Sequence, residues 1–231
     1  MVLVHGDVYD ATATFAMQAD LAAEFRLRLV NRRGFGGSAD VEGEDFDADA
    51  ADVAALLEPG THLVGHSYGG VVALLAAARR PEAVRSLTVV EPPALALTRD
   101  TAVTRDFIAT LEALRAERPT PEDFLPRFVA AIGGDPARLP RPLPPALVRA
   151  AGVQLRGRFP WEVEIPLAAL RASGIPTLVV SGGHHPLFDG VCDVLERELA
   201  ARRVVLRGAG HGVPRLGAPF NAVLRGVWAG G

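Results

Sequence analysis

The amino-acid sequence predicts an α/β fold: a mainly parallel sheet covered by helices on both faces and carrying a helical cap insertion. Three observations lead there. Short apolar runs alternate with helical stretches through most of the 231 residues, which is the pattern of strand–helix units rather than hairpins. One such run, Thr61 to Val64, stops at Gly65 and gives way to an alanine-rich helical stretch from Val71 to Arg79. From Pro93 to Ile165 the strand signal vanishes while helical spacing continues, and a structureless loop of that length does not suit a compact domain.

Taken in order, Met1 to Val4 is an unbroken apolar run and reads as a buried strand ending at His5-Gly6-Asp7. Thr14 to Glu24 has helical spacing and Leu27 to Val30 forms the next strand, leading into the glycine-rich loop Asn31-Arg32-Arg33-Gly34-Phe35-Gly36-Gly37-Ser38. Asp47 to Leu57 is helical, closed by Pro59-Gly60. After the central strand and helix, Val84 to Val90 is a strand that terminates in Glu91-Pro92-Pro93. The insertion holds helical pieces near Thr101 to Arg118, Pro121 to Ile132 and Pro144 to Arg156, with proline-rich joints between them. The alternation then resumes: a helix over Leu167 to Ala172, a strand over Pro176 to Ser181, a helix over Leu187 to Ala201 and a strand over Arg203 to Leu206. Gly208-Ala209-Gly210-His211-Gly212 follows that strand, and Pro214 to Trp228 closes the domain as a helix. The domain reading is a core of residues 1–92 and 166–231 with a cap of residues 93–165.

Composition narrows the function. Half the chain is apolar (49%) and the net charge is -3 with both signs interspersed, so there is no basic face for nucleic acid. The acidic stretch Asp40 to Asp52 reads as a solvated helix start. All 24 basic residues are arginine, which excludes a Schiff-base lysine, a pyridoxal phosphate site and a Walker lysine. The lone cysteine, Cys192, lies in a helical apolar pattern and reads as a small buried hydrophobe. With no leader pattern and no apolar run long enough to span a bilayer, the expected setting is cytoplasmic. The expected partner is a small-molecule substrate, with no nucleic acid and no membrane, and a homodimer is left open.

The chemistry centres on Gly65-His66-Ser67-Tyr68-Gly69, a G-x-S-x-G element between strand and helix. Both glycines suit a tight turn with no room for Cβ atoms, and the turn aims the Tyr68 amide and the positive helix end at whatever Ser67 attacks. A serine hydroxyl is a weak nucleophile at neutral pH and needs a base, itself fixed by a third group. His211, after the last strand and flanked by glycines, is the natural base. His5, His184, His185 and His211 lack the close paired spacing of a metal motif, and Gly34 to Gly37 lacks G-x-G-x-x-G opening a helix. No metal and no cofactor is expected.

Four stretches together give the chain a specific resemblance. His5-Gly6, Arg33-Gly34-Phe35-Gly36-Gly37-Ser38, Gly65 to Gly69 and Gly210-His211 resemble the oxyanion dipeptide, the R-G-x-G-x-S loop, the nucleophile elbow and the histidine loop of α/β-hydrolase fold proteins. The resemblance covers essentially the whole length, with the first strands of that family's sheet missing. It implies an oxyanion hole from the backbone amides of Asp7 and Tyr68, the Asp7 carboxylate pointing away, and a cap that shapes substrate choice. His5, Phe35 and His66 are expected at the substrate, although His66 also suits packing beneath the elbow.

The acid departs from the family pattern. The family's G-x-x-D register reads Gly182-Gly183-His184-His185 here, so a histidine occupies the acid's place. Two carboxylates keep the order serine, acid, histidine. Glu91, at a strand's carboxyl end, matches the arrangement of a minority of the family, including haloalkane dehalogenases; Asp189, the runner-up, resembles a first-turn helix charge. The resulting reading is a serine hydrolase in which Ser67 attacks a small to medium carboxylic ester or lactone, His211 moves the proton and Glu91 orients it. A serine nucleophile disfavours dehalogenation through an alkyl-enzyme ester. Leu, Phe, Val and Ile in the cap promise an apolar pocket, and its arginines Arg127, Arg138, Arg141, Arg149, Arg156 and Arg158 either receive an acidic substrate or are solvated. Carbon–carbon bond hydrolysis or a lyase reaction with the same triad stays open, as does a hydrolase-like protein that binds without turnover.

Overall fold

The computed structural model of the chain describes residues 1–228, so the last three positions of the expected 166–231 core lie outside the described residues. Six strands, β1 (Val2–Val4), β2 (Arg28–Val30), β3 (Thr61–His66), β4 (Val84–Val90), β5 (Thr177–Ser181) and β6 (Arg202–Val205), form one sheet in the order β2-β1-β3-β4-β5-β6. Every pairing is parallel. The helices are α1 (Ala11–Thr14), α2 (Phe46–Ala55), α3 (Tyr68–Arg79), α4 (Ala102–Ala116), α5 (Pro121–Ala131), α6 (Pro145–Arg156), α7 (Leu167–Ser173), α8 (Pro186–Leu199) and α9 (Ala218–Trp228).

Alternation along the strands builds two cores. Val2, Val4, Leu87, Val89 and Val179 enter one, with Phe46 of α2 and Val72 of α3. Leu3, Val64, Val90, Leu178 and Val180 enter the other, with Phe220 and Leu224 of α9. The first core continues without a break into the insertion through Phe107, Phe124, Phe128 and Trp161. The carboxyl ends stay in step, because the Ser67 amide donates to Val90 O (2.8 Å) and the Glu91 amide to Val180 O (2.9 Å).

Several local expectations are corrected. The helix expected over Thr14 to Glu24 is instead the four-residue α1, capped by Asp10, and a 3-10 run over Ala16–Ala23. Tertiary bonds decide this: the buried Gln18 amide donates to Pro214 O (2.9 Å) and Asn221 Oδ1 (3.0 Å). β3 runs on through Gly65 to His66 and α3 begins at Tyr68, so Ser67 alone makes the turn. The acidic stretch is not simply a solvated helix start. Glu44 and Asp49 are buried at 5% and 3% exposure, while Asp45 caps α2 through the Ala48 amide (2.9 Å).

The α4–α6 segment and the residues just after it lie between β4 and β5 and are strapped to the loop that follows β2 and to the start of α2. Arg149 donates to Asp40 Oδ1 (2.7 Å), Gly36 O (2.9 Å) and Ser38 O (2.8 Å), Arg156 to Glu42 O (2.7 Å) and Arg158 to Asp47 Oδ2 (2.9 Å). Arg127 pairs with Glu117. These four arginines are therefore structural ties rather than free receptors for an acidic substrate.

Candidate active site

Ser67 stands alone between strand and helix with φ of +53°, and Glu91 has φ of +49°. A positive φ in a non-glycine residue costs about 1–3 kcal/mol and persists only where the surroundings impose it. At the elbow they do. A Cβ on Gly65 would strike Gly69 and Ala73, and one on Gly69 would strike the carbonyls of Val4 and His5. Gly6 is just as constrained, since a Cβ there would lie 2.8 Å from Ser67 Cβ and 3.3 Å from its Oγ.

A chain of three side chains runs from this turn. Ser67 Oγ lies 2.9 Å from His211 Nε2, and His211 Nδ1 lies 3.0 Å from Glu91 Oε2. With Nδ1 facing a carboxylate, the imidazole carries its proton there and Nε2 is left to accept from the serine. Glu91 Oε1 accepts from the Gly182 amide (2.6 Å). Burial pushes the Glu91 carboxyl up, but the facing His184 ring, the hydrogen bond and charge of His211 and the Gly182 amide outweigh it and hold the group at about 2. Asp189 is engaged elsewhere: in the first turn of α8 it accepts from Ser181 Oγ (2.8 Å) and Arg203 Nη2 (3.2 Å).

Two further histidines brace this chain. The His66 Nε2–H donates to the His211 carbonyl (2.8 Å); burial, then the neighbouring His211, depress its proton affinity to about 3, so it acts as a neutral donor. His184 Nδ1 faces Glu91 Oε2 at 3.4 Å and its Nε2 lies 3.2 Å from Ile132 O. Among the described residues, Glu91, His184 and His211 bring metal-type donor atoms within 4.8 Å of one another. Those atoms face one another as proton donors and acceptors.

Two residues expected at the substrate are placed away from the cavities at Ser67. His5 is fully buried, its Nδ1 bonded to Gly6 O (2.6 Å) and its Nε2 accepting from the Arg32 amide (3.1 Å). Phe35 is 3% exposed and packs edge-on to that ring (4.7 Å) and under the Arg32 guanidinium (4.5 Å). Both brace the Gly6–Asp7 turn from behind, and neither lines the cavities at Ser67. His66 does line the larger one.

The hub of that brace, Arg32, escaped sequence reading because its neighbour Arg33 fits the loop motif; Arg33 in fact pairs with Asp52 at the surface. Arg32 is buried and donates to His5 O, Gly6 O, Asp7 Oδ1, Glu44 Oε1 and Asp49 Oδ2 at 2.9–3.2 Å. It also lies over the Tyr68 ring (3.8 Å). Burial, with the nearby Asp7 charge, pushes Glu44 well above the usual carboxylate range. Burial pushes Asp7 up as well, against the pull of Arg32. The Asp7 carboxylate is thereby turned into the cluster. The acidic residues at positions 44 and 49 were the available signal, since buried carboxylates require a cation.

Two cavities meet at Ser67. The larger, about 490 Å³, runs past Tyr9, Val129, Ile132, Leu139 and Arg215. The smaller, about 40 Å³, is walled by Tyr68, Phe107, Phe124, Phe159 and Phe188, with Arg115 at its edge. Among the described residues no helix is long and apolar enough to cross a membrane.

Residues 1–225 match the family described as "Alpha/beta hydrolase family". The pimeloyl-[acyl-carrier protein] methyl ester esterase of Aeromonas salmonicida is 31% identical over 239 residues, covering 95% of this chain and 89% of that protein. The same-named protein of Aeromonas hydrophila is 30% identical at the same coverage. Among solved structures, an alpha/beta hydrolase from Sphaerobacter thermophilus aligns with a TM-score of 0.67 at 25% identity, covering 98% of this chain and 91% of that one. A thermophilic esterase from Thermogutta terrifontis aligns with a TM-score of 0.68 at 24% identity, covering 98% and 89%, a likeness of fold.

Proposed function

The chain belongs to the alpha/beta hydrolase family, and from that premise we propose a serine esterase whose triad is Ser67, His211 and Glu91. The observation that carries the assignment is the unbroken hydrogen-bond chain from Ser67 Oγ through His211 to Glu91. Ser67 attacks the ester carbonyl as His211 Nε2 takes its proton. Glu91 supports the imidazolium, and the Asp7 and Tyr68 amides hold the oxyanion, donors of a kind worth about 10²–10³-fold in rate each. As the first residue of α3, Tyr68 has an amide with no acceptor inside the helix. His211 then protonates the departing alkoxide, and water releases the acyl group by the same route in reverse.

The cavities divide the substrate. At about 490 Å³ the larger falls within the ordinary range for small-molecule sites, roughly 300–1,000 Å³, and takes the acyl part. The smaller, about 40 Å³, exceeds the ~10–15 Å³ that one water needs and takes a short alkoxy group. Residues 93–165 act as the cap that closes both. The relatives' printed name, a methyl ester esterase, points the same way. One cysteine in the whole chain suits a reducing compartment, and we place the activity in the cytoplasm.

Acid release from the methyl, ethyl, propyl and butyl esters of one straight-chain acid tests this, with Ser67→Ala as reference. Turnover that falls as the alcohol grows from methyl to butyl, and vanishes in Ser67→Ala, is expected. Equal turnover of all alcohols would overturn the division of the cavities.

A further inference from the structure

The catalytic carboxylate carries two imidazoles where the reaction requires one. Besides His211, it faces His184 Nδ1 at 3.4 Å, and that nitrogen has no hydrogen-bond partner of its own. The other nitrogen, Nε2, faces the Ile132 carbonyl at 3.2 Å. A neutral imidazole has one N–H and one lone pair, so one of these contacts would set a lone pair against an oxygen. Only the doubly protonated ring satisfies both.

We propose that His184 is a positioning residue of the triad: an imidazolium held between the Ile132 carbonyl and Glu91, it fixes the carboxylate and offsets its charge. The assignment rests on Ser67, His211 and Glu91 acting as proposed above. The ring is held on several sides. Phe188 of α8 stacks on it at 5.8 Å between centroids, and the His211 ring lies at 6.0 Å. Gly133, after α5, leaves room for both neighbouring histidines, since a Cβ there would lie 3.1 Å from the His185 ring and 3.2 Å from His184. The charged and titratable groups facing His184 are Glu91 from the end of β4, His211 from the loop after β6, and His185 and Asp189 from the start of α8. The Glu91 contact raises the ring's proton affinity, against burial. His185, by contrast, is turned to cap α8, its Nδ1 accepting from the Leu187 amide (3.2 Å).

The consequence is electrostatic. A lone buried carboxylate would draw a proton onto His211 and disable it as a base; a second cation on Glu91 weakens that pull. Histidine at position 184, beside the family's vacated acid register, thus supports the base from the far side of the displaced acid.

The test is the pH profile of fluorophosphonate labelling at Ser67 in the wild type and in His184→Gln. The acidic limb is expected to move up by about one pH unit in the variant, with the two rates converging at alkaline pH. A rate lowered equally at every pH, with no shift, would reduce His184 to packing and overturn the proposal. Should the variant fail to fold, nitrogen-15 spectra of histidine-labelled wild type decide. With His184 assigned through its contacts to Phe188, protonation of both ring nitrogens near neutral pH is expected, and a neutral tautomer overturns the proposal. A wild type that takes no label would sink the esterase reading instead, and the nitrogen spectra still judge His184.

Discussion

Glu91 concentrates the residue-scale argument, since its backbone is held at φ of +49° and its carboxyl at about 2. Glu91→Gln keeps the shape but loses the charge and the tautomer control, so labelling at Ser67 should fall by about 10³–10⁴-fold. Asp189→Asn, which weakens a partly exposed ion pair with Arg203 and keeps an acceptor for Ser181 Oγ, should label within about twofold of wild type and cost under about 1 kcal/mol. The sign of the pH dependence follows from the depressed value. Stability contributed by Glu91 is complete above its ordinary 4.5 and is lost as pH falls through about 2. Acid titration of thermal stability should therefore show a loss over that window that is absent in Glu91→Gln. Gly6→Ala drives a methyl against Ser67 and should cut labelling by at least about 10²-fold while the fold survives. Ser67 and His211 were legible because each sits in a glycine-flanked turn after a strand. Glu91 was one of two candidates, since sequence order cannot tell which carboxylate a histidine two strands away will meet. Arg32 and His184 were missed as partners because burial of one arginine, or of one histidine in a pair, leaves no periodic trace.

At the scale of elements, the loop after β2 does two jobs: it carries Arg32 behind the Gly6–Asp7 turn, and it receives the arginines of α6. Arg32→Met removes the cation from three buried carboxyls, and breaking a buried pair in this way costs about 3–5 kcal/mol. The carboxyls left behind are favoured in their protonated forms, so the deficit in urea denaturation should be smaller at pH 5 than at pH 8. A deficit independent of pH would contradict the hub. Strand and helix order was readable from alternation and spacing, for instance the helical piece starting at Pro121 that forms α5. The 3-10 run over Ala16–Ala23 was not, because its contacts to Pro214 and Asn221 come from residues about 200 positions away.

At the scale of the molecule, the insertion and the sheet share one apolar core, from Leu63 and Val89 to Phe124, Phe128 and Trp161. Cap and core should therefore unfold together. The two tryptophans, Trp161 in the insertion and Trp228 in α9, can be followed separately in Trp228→Phe and Trp161→Phe, and their thermal midpoints should agree once each variant's own shift is subtracted. An insertion that melts first would refute the shared core. The central claim, an activated serine served by His211 and Glu91, is tested most directly by fluorophosphonate labelling mapped to a peptide. Rapid, stoichiometric modification of Ser67 is predicted, surviving Asp189→Asn and collapsing in His211→Ala and Glu91→Gln. Labelling that persists in Glu91→Gln and collapses in Asp189→Asn would contradict the triad.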